Sequence, residues 1–207
     1  QQEALYGTAR DNSALIMAGG PGKRLRPLTN DVPKPLLPVM GKPILERILE
    51  QLISSGISKF YISTCYMAEK IQSYFGNGDN WGVEIHYLQE SEPLGTAGSL
   101  ALLPSSGFSL PIIVMNGDLL LKFDIGKLLE FHEKQDAIAT MCVREYEQQV
   151  PYGVVTSDGE RITGVVEKPI HRFLVNAGIY VFEPRLVGHI EAGENIDMPK
   201  LLERPIL

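Results

Sequence analysis

Between residues 13 and 134, short apolar runs alternate with segments whose apolar residues recur at helical spacing, and this alternation leaves few folds open. The runs at 13–18, 59–64, 83–88 and 111–115 read as buried strands, while 44–54, 68–75, 96–102 and 125–134 carry the helical period. In the segment 44–54 the apolar positions are Ile44, Leu45, Ile48, Leu49 and Leu52, preceded by Pro43 and followed by Gly56, the residue types that open and close helices. Repeated strand–helix–strand units bury both faces of a parallel sheet. Beyond 134 the texture shifts to strands with shorter connections, at 137–143, 153–156, 162–167 and 174–182. There "SDGE" at 157–160 carries the Asp-Gly signal of an antiparallel hairpin. The expected fold class is therefore α/β, a Rossmann-like mixed, mainly parallel central sheet flanked by helices. One domain is expected over 13–207, behind a polar linker or N-terminal extension at 1–12.

A formal charge of -6 over 207 residues excludes partners that bind through a net basic field, so neither nucleic acid nor a membrane surface is expected. No apolar stretch approaches the roughly 20 residues of a spanning helix, and the polar start lacks the pattern of a signal peptide. The two cysteines, Cys65 and Cys142, stand far apart inside apolar runs, which fits reduced thiols and a cytoplasmic location. His86, His132, His171 and His189 are scattered without ligand spacing and receive no role.

In this acidic chain the stretch "ALIMAGGPGKRLRPLT" at 14–29 stands apart, because a strand runs into a glycine-rich bend that carries Lys23, Arg24 and Arg26. Such a bend points several backbone N–H groups at one concave spot, and the cations add full charges, which suits a polyphosphate. Its spacing is neither the dinucleotide fingerprint nor a P-loop, and a glycine turn by itself is equally compatible with a tight loop. In "DVPKPLLPV" at 31–39, Lys34 lies between two prolines and is expected on a stiff extended segment. "NGD" places Asp118 at the carboxyl end of the strand 111–115, where ligands sit in open α/β sheets and where a carboxylate suits Mg²⁺. The same aspartate could instead cap the segment that follows.

The run "AGGPGKRLRPLTNDVPKPLLPV" resembles the N-terminal signature of the sugar nucleotidyltransferases, the nucleoside-diphosphate-sugar pyrophosphorylases. Further matches follow in order: "EPLGTAGSL", "VMNGDLL", "PYGVV", "VVEKP" and "VNAGIYVF". The run "TMCVREYEQQVPYGVV" and the "NAGIY" element look most like hexose-1-phosphate guanylyltransferases such as mannose-1-phosphate guanylyltransferase, including bacterial forms with regulatory CBS domains upstream. The resemblance implies the nucleotide-diphospho-sugar transferase fold, and a reaction in which a hexose-1-phosphate attacks the α-phosphorus of a nucleoside triphosphate, GTP above the others, releasing pyrophosphate with Mg²⁺ as cofactor. Arg24, Lys34, Asp118 and Lys168 are the implied catalytic residues, with Asp118 on the metal. Ala18, Gly19, Gly20, Gly22, Lys23, Gln89, Gly95 and Thr96 are the implied nucleotide contacts. Asn116, Gly117, Gly153, Glu167 and Asn176 are the implied sugar contacts. Homo-oligomers are compatible with the resemblance.

One departure bears on activity. The family supplies a second metal-binding aspartate from a Trp-x-Asp-x-Gly element, which this sequence does not contain; its only tryptophan is Trp81. The domain at 13–207 is therefore expected to be incomplete at its C-terminal end, to bind nucleotide, and to turn over poorly. The alternatives are a uridylyl or thymidylyl transferase of the same family, and a noncatalytic sugar-nucleotide-binding regulatory subunit.

Overall fold

The computed structural model describes residues 8–104, 106–120 and 123–204. The first strand, β1 (Arg10–Met17), is buried along Ala14, Leu15 and Ile16. It starts earlier than the expected residue 13: the Arg10 amide donates to Gly56 O at 2.9 Å, and Asn12 Nδ2 donates to Pro111 O at 2.8 Å. Residues 10–12 thus belong to the sheet, and 1–7 lie outside the described residues.

The chain continues through a small hairpin, β2 (Pro38–Val39) and β3 (Lys42–Pro43), which the sequence reading did not anticipate. Its turn residues Met40 and Gly41 both have positive φ, 51° and 83°, as a two-residue hairpin turn requires. Helix α1 (Ile44–Ser54) lies where the apolar spacing put it and buries Ile44, Leu45, Ile48, Leu49, Leu52 and Ile53. Each such side chain contributes about 1.5–3 kcal/mol over leaving it exposed. Gly56, at φ 91°, ends the helix and leads into β4 (Ile57–Thr64). Then come α2 (Ala68–Phe75), β5 (Glu84–Gln89), the short α3 (Gly95–Gly98), β6 (Ile112–Asn116) and α4 (Ile125–Lys134). Asp124 caps α4, its Oδ1 accepting from the Lys127 amide at 3.1 Å.

The last part of the chain forms β7 (Ala139–Gln149), β8 (Gly153–Asp158), β9 (Arg161–Glu167), β10 (Ile170–Phe182), α5 (Pro184–Val187) and α6 (Met198–Leu202). The main sheet has the order β5-β4-β1-β6-β10-β7. Its first four strands are parallel neighbours, and β10 joins β6 antiparallel. Strands β8 and β9 pair antiparallel as a separate sheet, with Gly159 at φ 57° in the expected turn. The mixed, mainly parallel sheet is thus present.

The described residues fall into two compact units, one within 1–140 and 179–207, the other within 141–178. In the first, Leu15, Val114, Tyr180 and Phe182 pack with Leu100, Ile196, Met198 and Leu201 in one core. The second is built from strands whose large apolar side chains, Val155, Ile162, Val165 and Leu174 among them, are exposed. None of the described helices is long and apolar enough to cross a membrane.

In the parallel part, β4 and β5 lie to one side of β1 and β6 to the other. That reversal opens a crevice at the carboxyl ends of β1 and β6, the place where open α/β sheets accept ligands.

Candidate functional site

A cavity of about 300 Å³ occupies this crevice. Its wall takes Met17, Ala18, Gly19 and Gly20 from the end of β1, and Asn116, Gly117 and Asp118 from the end of β6. Lys34 and Pro35, Ser63, Glu90, and Pro93 with Gly95 and Thr96 complete it. Backbone bonds hold the strand ends together: Gly117 N–H donates to Met17 O at 2.8 Å, and Ala18 N–H to Ser63 O at 3.0 Å.

Beyond Ala18 the chain leaves the sheet, and among the described residues the N–H groups of Gly19, Gly20, Gly22, Lys23 and Arg24 donate to no protein acceptor. Uncommitted amides on a bend form a cradle for an anion. A Cβ placed on Gly20 would meet nothing within 4 Å, so this residue borders open space. Gly22 is different: at φ 59° it packs on Thr29 and Lys34, and Thr29 Oγ1 donates to its carbonyl at 3.0 Å. It shapes the loop rather than lining the cavity. Lys23 and Arg24 stand in a single 3₁₀ turn, Lys23–Leu25, exposed, outside the cavity wall, and without an acidic partner among the described residues.

Lys34 does reach the cavity, by a different backbone from the extended one expected. It opens a 3₁₀ turn, Lys34–Leu36, in which Leu36 N–H bonds Pro33 O at 2.8 Å and Leu37 N–H bonds Lys34 O at 3.1 Å. A 3₁₀ turn lies within the α region that a following proline disfavours, so the two hydrogen bonds of this turn hold Lys34 there against that preference. Its ammonium donates to Asp118 Oδ2. Asp118 therefore serves as an ion-pair partner, and the capping role falls to Asp124. No cluster of three or more metal-ligating side chains occurs among the described residues.

At the other side of the cavity the structure separates two neighbours that the sequence could not. Gln89, the expected base contact, lies outside the wall, with Thr64 Oγ1 donating to its side-chain oxygen at 3.4 Å. Glu90 takes the place instead, buried and on the wall. One oxygen accepts the Leu94 amide at 3.1 Å, and the other would stand 2.9 Å from a Cβ added to Gly19. Ser63, also missed, is buried on the wall with no partner for its hydroxyl among the described residues. Neither could be singled out from sequence, because a Glu beside "SEP" and a Ser inside a strand are common residues in unremarkable places. Cys65 lies beside Gly19, and burial, followed by the Glu90 charge, pushes its thiol up; it stays protonated at neutral pH and is a poor nucleophile. Both cysteines are free.

Gly95 and Thr96 line the cavity while their other side is occupied by the chain near Asp197. Gly95, at φ 77°, could not carry a side chain, because a Cβ would sit 2.6 Å from Ile196 O. Its expected role of admitting a base is joined by this packing requirement.

Gly153, Glu167, Lys168 and Asn176 belong to the second unit. Gly153 and Glu167 are register partners across β8 and β9. Lys168 has φ 48°, a left-handed backbone that costs a non-glycine residue about 1 kcal/mol or more, and its amide donates to Tyr152 O at 3.2 Å. Asn176 Oδ1 accepts the Gly178 amide at 2.8 Å.

The chain is 34% identical over 213 residues to a UTP–glucose-1-phosphate uridylyltransferase of Synechocystis, covering 92% of this chain and 55% of that protein. It is 40% identical over 185 residues to the mannose-1-phosphate guanylyltransferase catalytic subunit beta of Drosophila pseudoobscura, covering 86% of this chain and 50% of that one. It thus spans about half the length of these relatives. The crystal structure of HddC from Yersinia pseudotuberculosis complexed with GMP-PN superposes with a TM-score of 0.70 at 26% identity, over 91% of this chain and 86% of that one. Residues 13–200 match the nucleotidyl transferase family, and the chain belongs to that family.

Proposed function

We propose that this chain carries the nucleotide site of a sugar-1-phosphate guanylyltransferase, acting in the cytoplasm on GTP and a hexose-1-phosphate of the mannose-1-phosphate type. One observation carries the reading: Gly19 and Gly20, whose amides are free, meet Lys34 and Asp118 at one cavity on the switch point of the sheet. In the transfer, a phosphate oxygen of the sugar-1-phosphate bonds to the α-phosphorus as the bond from that phosphorus to the bridging oxygen breaks, and pyrophosphate departs with the electron pair. Little covalent help is needed; two anions must be aligned and their repulsion offset. The amides of Gly19 and Gly20 hold the triphosphate, Lys34 neutralises charge that grows on its oxygens, and Arg24, exposed on the neighbouring turn, meets the departing pyrophosphate. Glu167 and Lys168 are assigned to the sugar hydroxyls and sugar phosphate, and the left-handed backbone held at Lys168 supports a functional demand there.

Asp118 is about one third exposed on the cavity wall, and its oxygens fit Mg²⁺, which binds through one or two carboxylates and otherwise through water and substrate phosphates. Bound there, the ion would offset phosphate charge. With one carboxylate at that end of the cavity, a nucleotide-binding unit of low turnover is the second reading.

Glu90 supports guanine. An ionised carboxylate only accepts hydrogen bonds, and guanine offers two adjacent donors, N1–H and the 2-amino group. Uracil and thymine offer one N–H between two carbonyl oxygens, which a carboxylate repels. The relative named a guanylyltransferase and the GMP-PN complex of HddC support this reading, while the Synechocystis relative is named for uridylyl transfer. Titration with GTP, UTP, dTTP, CTP and ATP in Mg²⁺, followed by pyrophosphate release with mannose-1-phosphate, tests it. GTP is expected to bind at least about tenfold more tightly than the others; equal or absent binding of all five ends the proposal.

A further inference from the structure

We propose that residues 194–198 form a strap that keeps the 93–98 wall of the cavity in its nucleotide-binding shape, with Asp197 as a positioning residue. This deepens the nucleotide reading above and rests on it. Asp197 lies outside the cavity wall, yet its Oδ1 accepts both the Thr96 amide, at 3.0 Å, and the Thr96 hydroxyl, at 3.3 Å. Thr96 Oγ1 accepts the Met198 amide in return at 2.8 Å. The backbones are laced in both directions, Ile196 N–H to Leu94 O at 3.0 Å and Ala97 N–H to Ile196 O at 2.9 Å. Asn195 Nδ2 adds a bond to Pro93 O at 2.7 Å.

The fit is steric as well as polar. A Cβ on Gly95 would come to 2.6 Å from Ile196 O, and one on Gly98 to 2.4 Å from Glu194 O, so both glycines are required by the strap. On its far side the strap is anchored: Ile196, Met198 and Leu201 are buried in the core, while Arg204 binds the Glu194 carboxylate and donates to His189 O at 2.7 Å. On the near side the clamped segment exposes Pro93, Gly95 and Thr96 to the cavity and donates the Leu94 amide to Glu90. The geometry of the base-reading carboxylate and of the wall opposite the phosphate loop is thereby set from residues about a hundred positions later in the chain.

The test compares the wild-type chain with Asp197→Ala, Asp197→Asn and Asn195→Ala. Amide hydrogen exchange in the ligand-free proteins reads the strap, and equilibrium binding of GTP and of inorganic triphosphate, both with Mg²⁺, reads its effect on the site. Asp197→Ala is expected to speed exchange at Thr96 and Ala97 and to weaken GTP binding about tenfold, while triphosphate affinity stays within about twofold. Asp197→Asn keeps an acceptor oxygen for the Thr96 amide and restores most of the GTP affinity. Asn195→Ala, an exposed change that leaves the fold intact, is expected to shift GTP binding in the same sense by about threefold, and it decides the matter if Asp197→Ala does not fold. Unchanged exchange, unchanged GTP affinity, or equal loss for GTP and triphosphate each overturns the positioning role. A wild-type chain that binds triphosphate but no nucleotide would instead overturn the guanylyltransferase reading, leaving 194–198 a structural brace.

Discussion

Lys34 and Asp118 stand 84 residues apart in the chain, and their side chains form an ion pair on the wall of one cavity. A lysine from the proline-rich loop and an aspartate from the end of a central strand are thus brought to the cavity proposed for the triphosphate. Because both side chains are about one third exposed, at 31% and 34%, the pair adds little to folding and is available for a ligand.

Lys34→Met is accordingly expected to change stability by less than about 1 kcal/mol, since water screens the pair in the folded protein. Triphosphate affinity should fall about tenfold or more, because the cation nearest the cavity is gone. Thermal unfolding beside calorimetric titration with GTP separates the two effects; a large stability loss with unchanged affinity would contradict this assignment.

Two glycines of the site should respond in opposite ways to alanine. At Gly20 the added methyl meets nothing within 4 Å, so stability should stay within about 0.5 kcal/mol while nucleotide affinity drops, as the methyl intrudes on the ligand's space. At Gly95 the methyl would strike Ile196 O from a left-handed backbone, and a loss of about 1–3 kcal/mol or more is expected. Urea unfolding of both variants with and without GTP provides the check.

Glu90→Gln tests the reading of the base. An amide both donates and accepts, so the preference for GTP over UTP should shrink by about tenfold, through weaker GTP binding and improved UTP binding. The Leu94 amide keeps an acceptor, and the fold should persist. Competition between the two nucleotides measures the ratio directly.

The anchor of the strap is pH-dependent. Hydrogen bonding to Arg204, and then to the Glu191 amide, holds the Glu194 carboxyl below its ordinary value. A group whose pKa is lowered on folding contributes stability above its unfolded pKa and loses it as pH falls through the folded one. Wild-type protein should therefore lose its stability advantage over Glu194→Gln as pH drops below the usual carboxylate range, near 4.5, and keep it at neutral pH. Melting temperatures of both proteins between pH 7 and 3 report this difference.

Much of the architecture was legible along the chain, because helix and strand periods are local properties. The spacing of Ile44, Leu45, Ile48, Leu49 and Leu52 predicts the bounds of α1, the apolar patterns at 68–75 and 125–134 predict those of α2 and α4, and the Asp-Gly pair predicts the β8–β9 turn. Motif spacing also led to the first loop, Lys34 and Asp118. Tertiary structure alone decided which side chains share the cavity. Gln89 closes β5 and Glu90 follows it, so which of the two lines the cavity depends on where β5 ends against β4. The partner of Thr96 is Asp197, supplied from far along the chain by packing of the core, and no local pattern in either segment encodes the other.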